Sequence, residues 1–284
     1  MVKIGFNLLV LGTDIGEEHL PELAKLKPLG YDGVEVPIFS GDEKSYAALG
    51  RRIADLGLSA TGISIATVEA NPISPDKAVR RKARDAHKWM IDCTRALGGD
   101  RLAGPIHSPV GVFSGTGPTE SEKDRCADAL RAAAEYGAAA GVTLSVEVIN
   151  RFESYIMNTM EQGAAMMVKV GHANCAMMYD TFHVNIEERD PVAVFDAHHR
   201  SINHIHISEN DRGIPGRGHV PWGRTFAAFK RHNYDGWLTV EAFGRALPAL
   251  AGATRVWRDL FPDRDTLFAE SIRHIRRGLA GELK

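Results

Sequence analysis

The sequence predicts a single (β/α)8 barrel, the TIM-barrel fold, over residues 1–284. Eight short apolar runs rich in β-branched residues recur along the chain, and longer helical patterns alternate with them. The length of 284 residues suits one such barrel, which typically needs about 250 residues. A doubly wound sheet is the alternative, but residues 10–14 read VLGTD and lack the GxGxxG turn typical of that fold.

The predicted strands are continuously apolar, which is typical of strands buried on both faces of a parallel sheet. They cover residues 3–10, 33–36, 58–65, 101–106, 141–148, 175–179, 202–207 and 237–240. The fifth strand reads GVTLSVEV and the seventh reads INHIHI, so each carries an ionisable residue near its end.

The predicted helices are marked by capping signals. Ser74 followed by Pro75 is an N-cap with proline at the first helical position, and Thr119 with Glu122 forms a capping box. The helices are predicted at residues 17–29, 74–97, 119–140, 159–170, 191–199, 223–232 and 267–279. Because no internal repeat, low-complexity tract or linker interrupts this pattern, we expect one domain.

Composition excludes several classes of protein. The 34 Lys and Arg residues nearly balance 36 Asp and Glu residues, and a net charge of −2 argues against a nucleic-acid partner. Three widely spaced cysteines without a CxxC motif favour a reducing compartment. We see no signal-peptide pattern and no apolar run near the ~20 residues of a membrane span, so we expect a cytoplasmic protein without a membrane partner.

Four ionisable residues lie at the ends of successive predicted strands: Glu147, Asp180, His206 and Glu241. Catalytic groups of a TIM barrel lie at the carboxyl ends of its strands, so we expect these four side chains to converge. Any one of them alone could be an ordinary strand-end residue. Together, in apolar surroundings, they predict a site for Mn²⁺, Mg²⁺ or Co²⁺ with open positions for substrate oxygens.

Other polar residues follow the same strands. Glu153, His183 and Arg212 lie in predicted loops just beyond them, where substrate-binding groups are common, although solvated loop charges are the alternative. Glu35 ends the second strand and is either a pocket residue or a packing residue. His204 alternates with His206, so both should face the barrel side of the strand.

Several long motifs resemble the ketose 3-epimerases, the D-tagatose, D-psicose and L-ribulose 3-epimerases of the sugar phosphate isomerase/epimerase superfamily. The motifs are EVINRFES, DTFHVNIEE, HIHISENDRGIPGRGHVPW and VEAF, within residues 141–243. The resemblance implies one divalent metal, Mn²⁺ in the first place, held by four ligands. These are Glu147, Asp180, His206 and Glu241.

The resemblance also implies roles for the surrounding residues. Glu147 and Glu241 would form the acid/base pair, and Phe243 and Gly104 would line the pocket. The residues that would hold the O1–O2 end of the ketose are Glu153, His183 and Arg212. The segment 104–117 departs from the pattern of the tagatose and psicose enzymes, and we expect His107 within it to reach the far end of the substrate. A homodimer or homotetramer is the assembly that the resemblance implies.

The predicted function is epimerisation of a free ketose at C3 through a cis-enediolate, with two opposed glutamates exchanging the proton. Another enzyme of the same superfamily is the first alternative: an aldose–ketose isomerase, a hydroxypyruvate isomerase or an inosose dehydratase. A non-catalytic sugar-binding barrel is the second alternative, although such a protein has no need of two opposed carboxylates. The glycine-rich residues 213–218 lack the Lys-Ser/Thr of a P-loop and are interpreted as a turn that positions Arg212.

Overall fold

The strands form a closed parallel barrel in the computed structural model, which describes residues 2–283. Neighbouring strands follow sequence order, and β1 pairs with β8 to close the barrel. Their bounds are β1 Lys3–Asn7, β2 Gly33–Pro37, β3 Ser59–Ile63, β4 Arg101–Gly104, β5 Thr143–Glu147, β6 Cys175–Asp180, β7 Ile202–Ile207 and β8 Trp237–Val240. The predicted TIM barrel is confirmed, and the doubly wound alternative is wrong.

The helices lie between successive strands and after β8. Their bounds are α1 Leu20–Leu23, α2 Leu26–Leu29, α3 Glu43–Asp55, α4 Lys77–Ala96, α5 Glu120–Ala140, α6 Met160–Val170, α7 Thr181–Glu187, α8 Pro191–His198, α9 Trp222–Arg231, α10 Pro248–Thr254 and α11 Arg264–Ala280. Short 3₁₀ turns lie at Leu8–Val10, Glu17–His19 and His199–Ser201. Within residues 2–283, no helix has the length and apolarity that crossing a membrane requires.

Two predicted elements near the amino terminus differ from the structure. The first strand ends at Asn7, because the Asn7 side chain accepts a hydrogen bond from the Leu9 amide and begins the 3₁₀ turn. The predicted helix over residues 17–29 is broken between α1 and α2. Pro28 explains this break, since it has no N–H to donate and its ring would clash with the carbonyl of Ala24 in a continuous helix.

Helix α3 was not predicted, although its sequence carries the usual signals. Asp42 caps it by accepting a hydrogen bond from the Ser45 amide, and its buried residues Tyr46, Leu49 and Ile53 recur at helical spacing. The start of α4 was also predicted too early. Asp76 is the N-cap of this helix, while Ser74 instead accepts from the Asp76 amide in the preceding turn.

Gly104 ends β4 in a conformation that only glycine adopts easily. Its φ is +112°, and a Cβ built there would lie 2.1 Å from the carbonyl oxygen of Ser64. The close approach keeps the β3 and β4 ends together, directly before the segment that carries His107. The backbone at this rim therefore depends on the absence of a side chain.

We predict that Gly104→Ala lowers the free energy of unfolding by about 3 kcal/mol or more, because it adds a steric clash to an unfavourable φ. Gly98→Ala is the matched control: Gly98 also has a positive φ, +85°, but nothing lies near its missing Cβ. The control should cost only about 1 kcal/mol. Urea unfolding of the three proteins measures the difference, and equal costs would contradict the role given to the close approach.

Candidate active site

Four predicted side chains converge at the carboxyl ends of the strands. Glu147 and Asp180 end β5 and β6, His206 lies on β7, and Glu241 directly follows β8. Each residue offers one ligand atom, and these atoms all lie within 4.8 Å of one another. All four side chains are buried. The structure therefore brings together the four residues that the sequence singled out, and we call them the rim cluster.

The rim cluster has the donor set of a hard divalent cation: three carboxylates and one imidazole. The His206 Nδ1 atom is buried and has no hydrogen-bond partner among residues 2–283. It lies 3.4 Å from Glu241 Oε1 and 3.7 Å from Asp180 Oδ2. A buried nitrogen without a partner is costly, and a cation bound between these atoms would satisfy it. These residues can hold a metal ion.

Burial and neighbouring charge act differently on two carboxyl groups of the rim cluster. Burial raises the pKa of Glu147 to about 7, and contact with His183 only partly opposes this effect. Burial also acts to raise the pKa of Asp180, but the positive charge of Arg212, together with the effects of His183 and His206, outweighs it and holds that pKa below its usual value. The two carboxyl groups therefore differ in their local charge environment.

Arg212 reaches the rim cluster from the loop after β7, with a left-handed backbone φ of 67°. Its Nη1 atom donates to Asp180 Oδ2 at 3.1 Å and also to Glu241 Oε2. Its guanidinium lies 3.8 Å from the ring centre of Phe182 and 5.1 Å from that of Phe243. Arg212 is buried, so the alternative of a solvated loop charge is wrong.

His183 and Glu153 are joined through Asn150. The Asn150 backbone amide lies 3.1 Å from His183 Nδ1, and the Asn150 side-chain Nδ2 lies 2.9 Å from the same atom. The same Nδ2 donates to Glu153 Oε1 at 2.8 Å. Nδ1 accepts from the Asn150 backbone amide, and the other ring nitrogen, Nε2, lies 3.2 Å from Glu147 Oε1 and 3.1 Å from Arg212 Nη2. His183 was predicted in a loop, but it belongs to helix α7, whose N-cap Asp180 directly ends β6.

His107 lies just after β4, and its ring is fully buried. Its Nδ1 is 2.9 Å from Ser108 Oγ, which in turn is 3.1 Å from Ser154 Oγ. Burial lowers the pKa of His107 to about 4, so the imidazole is neutral at pH 7. The contact of His107 with a substrate stays a prediction.

Two residues of this rim were not predicted from the sequence, Asn7 and Glu209. Asn7 ends β1 and donates to Glu241 Oε1 at 3.1 Å; the predicted strand ran on to residue 10, so Asn7 did not stand at a predicted strand end. The buried Glu209 carboxylate accepts from the Gly216 amide at 2.7 Å and from Trp222 Nε1 at 2.8 Å. It also accepts from the Val220 amide, and so it fixes the loop that carries Arg212.

The chain is similar to several known proteins over almost its whole length. Residues 23–278 match the xylose isomerase-like TIM barrel family. An L-ribulose 3-epimerase of Mesorhizobium japonicum is 33% identical over 283 residues, covering 98% of this chain and 95% of its own. A solved L-ribulose 3-epimerase superposes with a TM-score of 0.94 at 32% identity, covering 99% of this chain and 96% of that one. A Methylomonas D-allulose 3-epimerase, solved with D-allulose, has a TM-score of 0.91 at 28% identity, covering 97% and 96%.

The fold, the rim cluster and the similarity to known epimerases together define this protein as an enzyme built on a parallel barrel. The chain belongs to the xylose isomerase-like TIM-barrel family. The resemblance to the ketose 3-epimerases predicted from the motifs is confirmed, and so is the prediction of an enzyme of the isomerase class.

We predict that Glu209→Gln destabilises the loop carrying Arg212, because a neutral amide cannot accept all the N–H groups that the carboxylate satisfies. Each buried donor left unpaired costs about 1–3 kcal/mol in the free energy of unfolding. Glu270→Gln is the matched control, since Glu270 pairs with the half-exposed Arg217 of the same loop and should contribute at most about 1 kcal/mol. Chemical denaturation compares the variants, and an unchanged midpoint for Glu209→Gln would contradict the assignment.

Proposed function

We propose that this protein is a divalent-metal-dependent epimerase that inverts C3 of a free ketose. The observation that carries the proposal is the presence of two glutamates, Glu147 and Glu241, on non-adjacent strand ends of one buried cluster. Named relatives support the substrate class, since they include L-ribulose 3-epimerases and a D-psicose 3-epimerase of Agrobacterium fabrum. The D-allulose complex of the Methylomonas enzyme supports a free sugar as the ligand.

The proposed cofactor is one divalent ion, Mn²⁺ in the first place, with Mg²⁺ or Co²⁺ as alternatives. Its ligands would be Glu147, Asp180, His206 and Glu241. When bound, such an ion polarises a carbonyl group and offsets the negative charge that develops on its oxygen. The oxygen-rich donor set and the unpartnered Nδ1 of His206 support this choice.

The proposed proton transfer uses one glutamate on each face of the sugar. One of the two carboxylates, Glu147 or Glu241, removes the proton from C3, and the electron pair moves toward C2 to give a planar cis-enediolate. The other carboxyl group returns a proton to the opposite face of C3. The product is the C3 epimer, no net proton is consumed, and the acid and base have exchanged roles.

The remaining site residues are proposed to hold the sugar. Glu153, His183 and Arg212 would bind the O1–O2 end, and their mutual contacts through Asn150 and the rim cluster support a preorganised subsite. Phe243 would line the pocket beside Arg212. His107, in the segment that follows β4, would approach the far end of the sugar.

The cytoplasm remains the expected location and a homodimer or homotetramer the expected assembly. Cys93, Cys126 and Cys175 are buried and unpaired, in keeping with a reducing compartment.

The proposal is tested with chelator-stripped protein, assayed with and without added Mn²⁺. The substrates are D-fructose, D-psicose, D-tagatose, D-sorbose and L-ribulose, and chromatography separates ketose epimers from aldoses. We expect the C3 epimer of at least one ketose, formed only when metal is present. An aldose product would instead indicate an aldose–ketose isomerase, and tight sugar binding without any product would indicate a non-catalytic barrel.

We predict that Glu147→Gln and Glu241→Gln each abolish measurable turnover and weaken metal binding. Loss of a general acid or base alone costs about 10²–10⁴-fold in rate, and these residues would also lose a ligand charge. Glu120→Gln, on the exposed start of α5, is the control and should retain full activity. Steady-state rates and calorimetric Mn²⁺ titration provide the two readouts, and full activity in Glu241→Gln would overturn the acid/base assignment.

We predict that Arg212→Ala raises KM by ~10- to 100-fold, with a smaller effect on kcat, because it removes hydrogen bonds to the bound ketose. Arg217→Ala, in the same loop but paired with Glu270 at the surface, should leave KM unchanged. Initial rates over a range of ketose concentrations separate the two parameters. A drop in kcat at constant KM would show that Arg212 does not act in substrate binding.

A further inference from the structure

Glu35 is a buried carboxylate of the barrel interior that is not part of the rim cluster. It lies on β2 and is fully enclosed. Its Oε2 is 2.7 Å from His206 Nε2, and its Oε1 is 2.8 Å from His204 Nε2. The contact with His206 has the geometry of a hydrogen bond, whereas the contact with His204 does not. Glu35 therefore contacts the His206 nitrogen that points away from the rim cluster.

We propose that Glu35 is a positioning residue that, together with Asn7, sets the orientation of His206 and Glu241 toward the cation. This inference rests on the proposed function, because it concerns the same metal centre. Glu35 touches neither the proposed cation nor the substrate in this arrangement. It acts through His206 directly and through the Asn7 side chain on Glu241.

The hydrogen bond to Glu35 determines which nitrogen of His206 is free to bind a cation. A neutral imidazole carries one proton, and a carboxylate acceptor at Nε2 places that proton on Nε2. The lone pair then lies on Nδ1, the atom that faces Asp180 and Glu241. A carboxylate in this position also makes the ligating nitrogen more basic, as in other carboxylate–histidine–metal arrangements.

Asn7 connects Glu35 to a second ligand of the rim cluster. Its Nδ2 donates one hydrogen bond to Glu35 Oε2 at 3.0 Å and another to Glu241 Oε1 at 3.1 Å. Its Oδ1 accepts from the Leu9 amide at 2.9 Å. Both amide hydrogens are used and the oxygen has a partner, so the Asn7 side chain has one preferred orientation. One buried amide therefore holds two carboxylates at a fixed separation.

A second cation bound by Glu35, His204 and His206 is the competing explanation, since these three residues also offer ligand atoms within 4.8 Å. Two observations favour positioning. The distance from Glu35 to His206 and its geometry are those of a strong hydrogen bond. Oε2 of Glu35 already accepts from both Asn7 and His206, so a cation bound to that oxygen would displace one of these hydrogen bonds.

The test is calorimetric titration of Mn²⁺ into chelator-stripped wild-type protein and Glu35→Gln. We expect one ion per chain in both and an affinity that is 10- to 100-fold weaker in the variant, the usual effect of removing a partner of a ligating histidine. Thr61→Val is the matched control. The Thr61 side chain lies in the same interior layer but approaches Glu35 only at a long distance of 3.4 Å. The Mn²⁺ affinity of Thr61→Val should therefore stay within about twofold of the wild type.

Asn7→Ala provides an independent variant if Glu35→Gln does not fold. It should weaken Mn²⁺ binding less than Glu35→Gln, because it leaves the bond from Glu35 to His206 in place. In the double variant the two effects should be less than additive, because both act on the same carboxylates. Circular dichroism of the stripped proteins confirms that each variant is folded.

Each outcome separates this inference from the proposed function. Absence of Mn²⁺ binding by the wild type would overturn the proposed metal centre itself. Wild-type affinity in folded Glu35→Gln, with metal binding by the wild type intact, would overturn only the positioning role. Two ions bound by the wild type and one by Glu35→Gln would show that Glu35 is a ligand of a second cation.

Discussion

Four carboxylates buried inside an apolar barrel are the constraint on which the rest of this structure depends. Glu35, Glu147, Asp180 and Glu241 are all less than 5% exposed. Isolated buried carboxylates are strongly unfavourable, so each must find a positive charge or hydrogen-bond donors. Arg212 supplies one permanent charge, and the Asn7 amide and the histidines supply donors. The proposed divalent cation among the rim residues would complete this balance and would give a physical reason for retaining so many acidic groups.

The loops around the barrel mouth are organised to support the same cluster. Arg212 has an unfavourable left-handed backbone conformation that two backbone hydrogen bonds hold in place. The Arg212 amide donates to the carbonyl of Glu209, and the Phe243 amide donates to the carbonyl of Arg212. The Glu209 carboxylate fixes the remainder of that loop. On the opposite side, Asn150 holds Glu153 and His183 together. The side chains proposed to hold the sugar are therefore already positioned by the groups packed behind them.

Much of this arrangement follows from strand periodicity. A parallel barrel brings the carboxyl ends of its strands to one rim, so finding ionisable residues at the ends of apolar runs was sufficient to place Glu147, Asp180, His206 and Glu241 together. Strand periodicity could not predict the break between α1 and α2 or the location of His183 in a helix. They depend on the position of Pro28 and on a cap supplied by a strand-end residue. The contacts of Asn7 depend on distances across the barrel, between residues 28 and 234 positions apart in the chain.

The proposed reaction is a proton exchange between two glutamates at C3 of a ketose. Incubation of the Mn²⁺-loaded protein with each ketose in D₂O, followed by NMR of the recovered sugars, tests it most directly. Deuterium at C3 of the epimeric product, at neither C1 nor C2, is the predicted result, because the returning proton comes from a carboxyl group that exchanges with solvent. Deuterium confined to C1 or C2, or an inverted product with the C3 hydrogen fully retained from the substrate, would contradict the account.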